Sequence, residues 1–254
     1  MTGFLLGFLI AACIAMTGVG AGTITAPLLI LFLHLPATLA VSIALVWSAV
    51  IKLIIVPIQI ARRLVVWKAL LFMLITGIPG VVAGSLLFRH VATLNIGKIW
   101  LYIALGASIV FSSSWYIYRH FCPRKKTESR EHLNCLALCS LPIGLEMGFS
   151  SSGAGALGSI SLLGLTRLTP QQVVGTDLVF GFVLSAIGGG LHLTHLGQEY
   201  VLLKQLTCGG LLGALVGAGI MKSIPVRPMR LALSIWLLLI GLQLCWQATS
   251  LAAK

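Results

Sequence analysis

The chain has 254 residues, of which 58% are hydrophobic and only 9% charged, and its net charge is +12. An average soluble domain is about 25% charged, so composition excludes a soluble globular protein and a disordered chain alike. With a mean hydropathy of +1.06 and long continuous apolar runs, the sequence predicts an all-α polytopic membrane protein rather than a β-barrel. The basic residues lie almost entirely in the short gaps between apolar runs, which ties the positive charge to membrane topology and not to nucleic acid.

Met1-Thr2-Gly3 carries no Lys or Arg, so the first run is read as mature membrane protein and not as a cleaved leader. The predicted apolar runs, in order, are Gly3–Leu33, Thr38–Ile60, Ala69–Phe88 and Lys98–Tyr118, then Leu133–Thr166, Gln171–Leu193, Leu202–Met221 and Met229–Trp246. Each set of four opens with one very long run. The segment 119–132 between the sets is strongly polar and basic. The chain therefore divides into an N-terminal membrane repeat (1–118), a linker (119–132) and a C-terminal membrane repeat (133–254). A constant shift of 133 residues lays Gly20-Ala21-Gly22 on Gly153-Ala154-Gly155, Leu45-Val46 on Leu178-Val179, and Gly77, Gly80 and Gly84 on Gly210, Gly213 and Gly217. Apolar matches are cheap in such a sequence, so the five aligned glycines carry the case for duplication. Internal repeats of this kind mark many transporter folds.

The first run is 31 residues long, about 46 Å as one helix against a hydrocarbon core of about 30 Å. Gly18 to Gly22 break it, as Ser150 to Gly155 break its counterpart. Glycine at that density disfavours a continuous helix. Each broken run either crosses the bilayer, which makes the repeats parallel, or turns near the midplane and leaves on the side it entered. In the second case each repeat is a broken, re-entrant helix pair plus three transmembrane helices, and the repeats are inverted. The re-entrant arrangement puts 12 basic residues on one side and 4 on the other; the crossing arrangement splits them 10 to 6. The stronger bias favours the re-entrant topology, with the linker cytoplasmic and both termini extracytoplasmic in a multi-pass protein of the cell (inner) membrane.

Helical backbone is interrupted at membrane depth only where protein or a wet cavity satisfies it. The chain restarts as a helix near Thr23 and Ala156, and helix starts present free N–H groups and partial positive charge suited to an anion. The expected binding residues are Gly20, Gly22, Thr23, Ser151, Ser152, Gly153 and Gly155. Gly77, Gly80, Gly84 and their copies are read as helix packing, by small-xxx-small spacing. Of the five acids two, Glu146 and Asp177, lie inside apolar runs, and Lys52 does too. Such groups are expensive in a membrane and usually functional, so they are assigned to ion coupling or to an ion pair, Lys52 with Asp177 by depth. His192 and His195 are read as interfacial, the six tryptophans as belt anchors, and the six cysteines as small buried hydrophobes. His132, Cys135 and Cys139 lack an evident fourth ligand, and no metal or cofactor is expected.

One series of segments in the second half now carries a resemblance: Gly153-Ala154-Gly155, Leu168-Thr169-Pro170, Val174-Gly175-Thr176-Asp177-Leu178, Gly188-Gly189-Gly190 and Cys208-Gly209-Gly210-Leu211-Leu212-Gly213-Ala214-Leu215-Val216-Gly217. In the first half it is joined by Gly18-Val19-Gly20-Ala21-Gly22, Pro27-Leu28-Leu29, Leu35-Pro36 and Ala40-Val41. In order and spacing this resembles the sulfite exporter TauE/SafE family of membrane permeases, over nearly the whole chain. The first half departs from the family in having Ser42-Ile43-Ala44 in place of a Gly-Thr-Ser type triplet. The resemblance implies movement of sulfite, sulfonates and related sulfur compounds across the cell membrane. The expected activity is thus secondary transport of a small anion, open to proton coupling, with another small anion or an organic acid as the alternative substrate. No GxxxxGK[ST] loop is present, so ATP hydrolysis is not expected. An intramembrane serine protease, using Ser150 to Ser152 with a histidine base, is the competing enzyme reading; the duplicated break explains the serines without it. The expected partners are the anionic substrate and the lipid bilayer, with self-association left open.

Overall fold

In a computed structural model the chain is described except at residues 1, 18–20, 94–96, 122–131, 153–154, 194–199, 221–225 and 253–254. The described residues form ten helices and no strand. They are α1 (Thr2–Thr17), α2 (Ala21–Leu33), α3 (Ala37–Ala61), α4 (Trp67–Thr93) and α5 (Gly97–Phe121), then α6 (Leu133–Ser150), α7 (Ala156–Leu165), α8 (Pro170–His192), α9 (Tyr200–Ile220) and α10 (Val226–Ala252). Among the described residues five segments are long and apolar enough to cross a membrane: α3, α4, α6, α8 and residues 200–217 of α9. The boundaries follow local chemistry. Pro36 stands at the N-cap of α3. Thr169 and Gln172 form a capping box around the start of α8, with Pro170 at its first position. Ser151 stops α6 in the left-handed region (φ 66°), and Gly155 (φ 111°) precedes α7, a conformation that favours glycine.

α3 and α8 begin at 37 and 170, and α4 and α9 at 67 and 200, the 133-residue offset of the sequence repeat. Packing follows the same exchange. α4 lies along α6, as α9 lies along α1. A Cβ on Gly80 or Gly84 would overlap the carbonyl oxygen of Leu141 or Leu145, and one on Gly209 or Gly213 would overlap that of Phe4 or Phe8. Glycine is what lets these backbones touch, as the spacing predicts. One ring contact is repeated too. Phe180 packs 2.6 Å from the Cβ position of Gly77, and Trp47, the equivalent ring, 2.9 Å from that of Gly210.

The directions of one corresponding pair, α3 and α8, are opposed. At one end of the α3–α8 pair Ser42 Oγ meets His192 Nδ1 at 3.3 Å; at the other the Val66 N–H donates to Thr176 Oγ1 at 3.0 Å. α3 and α8 are therefore antiparallel. α6 and α7 form a hairpin: the His132 N–H, before α6, donates to the Leu165 carbonyl, at the end of α7, at 3.2 Å. The second long run thus leaves near where it entered. Its arms are unequal. α7, 10 residues, is about 15 Å long, whereas α6, 18 residues, is about 27 Å, longer than a turn at the midplane requires.

Several expectations of placement change. Trp47 is 0% exposed, a core residue because its ring seats on a glycine, not a belt anchor. Trp67, Trp100, Trp115, Trp236 and Trp246 are exposed. His192 is 1% exposed, enclosed by Ser42 and by the Phe88 ring at 4.4 Å, and so is not interfacial. Cys135, Cys139 and Cys208 lie on the outer surface of the bundle and are not buried.

Candidate functional site

The two breaks meet. Every residue from Ala21 to Ile30 of α2 is buried. On its first turn Gly22 is pressed against Ser151, where a Cβ would overlap both the carbonyl oxygen and the hydroxyl. Thr23 beside it is 4% exposed, and Ser151 and Ser152 are 1% and 2% exposed. Gly155 is the N-cap of α7. Gly20 and Gly153, also expected here, lie outside the described residues.

Beside the meeting point the hydroxyls of Ser108, Ser150 and Ser152 form a triangle. Ser150 and Ser152 are 2.8 Å apart, Ser108 and Ser152 3.2 Å, and Ser108 and Ser150 3.4 Å. Ser152 also donates to Glu146 Oε1 at 3.0 Å, and Ser112 Oγ stands 3.5 Å from the same oxygen. The intramembrane acid is thus held by hydroxyls and has no basic partner in this network. Glu146, Ser108 and Ser150 share a groove of about 310 Å³ with the apolar side chains of Leu87, Ala104, Leu145 and Phe149. Ser150 and Ser152 turn to one another, Ser152 turns to Glu146, and His192 Nδ1 stands 3.3 Å from Ser42 Oγ. The serine beside His192 is thus Ser42 of α3, and His195 lies outside the described residues.

A second cluster surrounds Asp177. The Ser159 hydroxyl, in the first turns of α7, donates to its Oδ2 at 2.7 Å. Gly158 lies so close that a Cβ there would overlap Oδ1. Lys52, from α3, is 5% exposed and feels the Asp177 charge. α3 and α8 run side by side in opposite directions, which brings Lys52 within electrostatic range of Asp177.

Sequence reasoning missed Ser108, Ser112, Gly158 and Ser159. Ser108 and Ser112 stand four apart, one face of a helix, in an otherwise apolar run, and that spacing was the available signal. Nothing local points Gly158 or Ser159 at Asp177, because their contact depends on the return of α7 onto α8.

A family model described as "Sulfite exporter TauE/SafE" matches residues 3–244. The "Probable membrane transporter protein YjnA" of Bacillus subtilis (strain 168) is 27% identical over 259 residues, covering 94% of this chain and 97% of that protein. No solved structure matches.

Proposed function

Since the chain belongs to the sulfite exporter TauE/SafE family, we propose that it is a secondary transporter that exports small sulfur-containing anions, such as sulfite or organosulfonates, across the cell membrane with proton coupling. The observation that carries this reading is the contact of Gly22 with Ser151. Two interrupted segments in equivalent places of a duplicated membrane protein are the expected form of a transport site. Free N–H groups and hydroxyls at such a point suit the oxygens of an oxyanion. Glu146 and Asp177 are the groups that exchange a proton or a counter-charge as access alternates.

The antiparallel run of α3 and α8, the α6–α7 hairpin and the charge bias together support inverted repeats, with both termini extracytoplasmic and the linker cytoplasmic. Labelling of single cysteines at positions 2, 125 and 253, in a background without reactive thiols, tests this. Position 125 is expected to react from the side opposite the other two.

The function is tested by flux into proteoliposomes of sulfite, sulfonates, thiosulfate, sulfate and a small organic acid, with and without a pH gradient. Sulfite or a sulfonate is expected to move fastest, and faster with the gradient. Faster movement of the organic acid would replace the substrate class. Unchanged flux in Thr23→Leu and Ser152→Leu proteins that still insert would move the site elsewhere.

A further inference from the structure

The two helix starts at the breaks differ in charge. At the second, the carboxylate of Asp177 accepts from Ser159 at 2.7 Å and lies flush on Gly158, both in the first turns of α7. A carboxylate there meets the positive end of the helix dipole. Buried Lys52 stands within electrostatic range of it. At the first break, 133 residues earlier, the counterparts of Asp177, Gly158 and Ser159 are Ala44, Thr25 and Ala26. Thr25 turns its hydroxyl back to the Ala21 carbonyl at 2.6 Å, and Ala44 is 0% exposed. The counterpart of Asp177 at that helix start is thus an alanine and not a carboxylate. What it has instead is Ser151, 1% exposed and pressed on Gly22, whose hydroxyl has no hydrogen-bond partner among the described residues. A buried hydroxyl without a partner is costly unless a ligand satisfies it.

We infer that Asp177 is a resident anion: it fills the seat at the start of α7, and the transported oxyanion takes the remaining seat, the first turn of α2 with the Ser151 hydroxyl. This rests on the reading of the breaks as the substrate site. It replaces a symmetric pair of seats with one seat for substrate and one for the protein's own carboxylate. Lys52 serves both. When no substrate is present, Asp177 neutralises it; when an anion arrives, Lys52 attracts it while Asp177 repels it. Repulsion between like charges is strong away from water. Asp177 therefore weakens substrate binding, which lets the anion leave after access has switched.

The test is calorimetric binding of sulfite to the purified full-length protein in nanodiscs, alongside flux. Asp177→Asn is expected to bind sulfite about tenfold more tightly and to transport it more slowly. Ser159→Ala, which only loosens the carboxylate, is expected to tighten binding by about twofold and serves if Asp177→Asn does not fold. Ser151→Ala is expected to weaken binding by about tenfold. Weaker binding in Ser151→Ala, with unchanged or weaker binding in both Asp177→Asn and Ser159→Ala, would overturn the resident anion and leave the substrate site standing. Unchanged binding in Ser151→Ala would overturn the site itself, and this inference with it.

Discussion

The two halves share their packing and differ in their chemistry. The glycine contacts that bring α4 onto α6 recur where α9 meets α1, and the ring of Phe180 on Gly77 recurs as Trp47 on Gly210. The polar groups do not recur. At the 133-residue shift Lys52 falls on Ser185, Asp177 on Ala44 and Glu146 on Cys13, while Ser108 and Ser112 fall on Gly241 and Cys245. What both halves keep is what close approach of helices demands. What one half alone carries is not required by the architecture, since the other half folds without it, and those residues are where function is to be sought.

The widest break in this comparison would come from the shared part. Gly84→Leu and Gly213→Leu should each drive a side chain into a backbone carbonyl, of Leu145 and of Phe8 respectively. Overpacking usually costs about 1–3 kcal/mol, and more where backbone must move. Both variants are expected to yield little monodisperse protein on size exclusion. A normal yield from one and not the other would show that the two zippers are not equivalent.

The second test concerns the unshared charges. Lys52 and Asp177 are each 5% exposed. Removing one partner of a buried pair costs about 3–5 kcal/mol, and removing both costs less. Asp177→Asn and Lys52→Met should therefore each lower the thermal midpoint, and the double variant should regain much of it without regaining flux. Additive losses would show that the two charges are independent. Glu146→Gln is a milder change, because the amide keeps the shape and the hydroxyl partners. Flux driven by a sulfite gradient alone should persist, while the stimulation by a pH gradient disappears. Cys13→Ser at the equivalent place should leave both unchanged.

Much of this was legible in the sequence, for reasons that differ by residue. Glycine periodicity records backbone contact directly, so Gly80, Gly84 and Gly213 announced their role. The breaks at Gly22 and Ser151 were visible because a 31-residue apolar run is too long to be one span. His192 was misplaced because a position near a run end fits an interface, and Trp47 because it was grouped with tryptophans that do lie near run ends; only the bundle shows each facing a neighbouring helix. The partners of Asp177 could not be read at all. Ser159 reaches it because α7 folds back on α8, and that reversal is a tertiary fact.

The smallest effect sharpens the comparison most, because it separates α5 from α10. Ser108 and Ser112 face the second hairpin, and their counterparts Gly241 and Cys245 pack α10 against Gly106 of α5. The two serines should not matter equally. The Ser112 hydroxyl has one hydrogen, and it lies 2.8 Å from the Ser108 carbonyl but 3.5 Å from Glu146. The shorter contact takes the hydrogen, so Ser112 adds little to the acid. Ser108 likewise bonds the Leu105 carbonyl, at 3.0 Å, but its oxygen also stands 3.2 Å from that of Ser152, the best donor to Glu146. As an acceptor, Ser108 gives Ser152 a competing place for its one hydrogen, so its loss changes how firmly Ser152 holds the carboxylate. A neutral hydrogen bond contributes about 0.5–1.5 kcal/mol. Ser108→Ala is therefore expected to shift the midpoint of the flux–pH profile by about half a unit, within what one such bond allows. Ser112→Ala and Cys245→Ala should leave the midpoint in place. The check is initial sulfite flux from pH 5.5 to 8.5 in proteoliposomes of equal protein content. A larger shift in Ser112→Ala than in Ser108→Ala would mean that Glu146 takes its main contact from the far end of the serine pair, and the triangle at the break would lose its part in coupling.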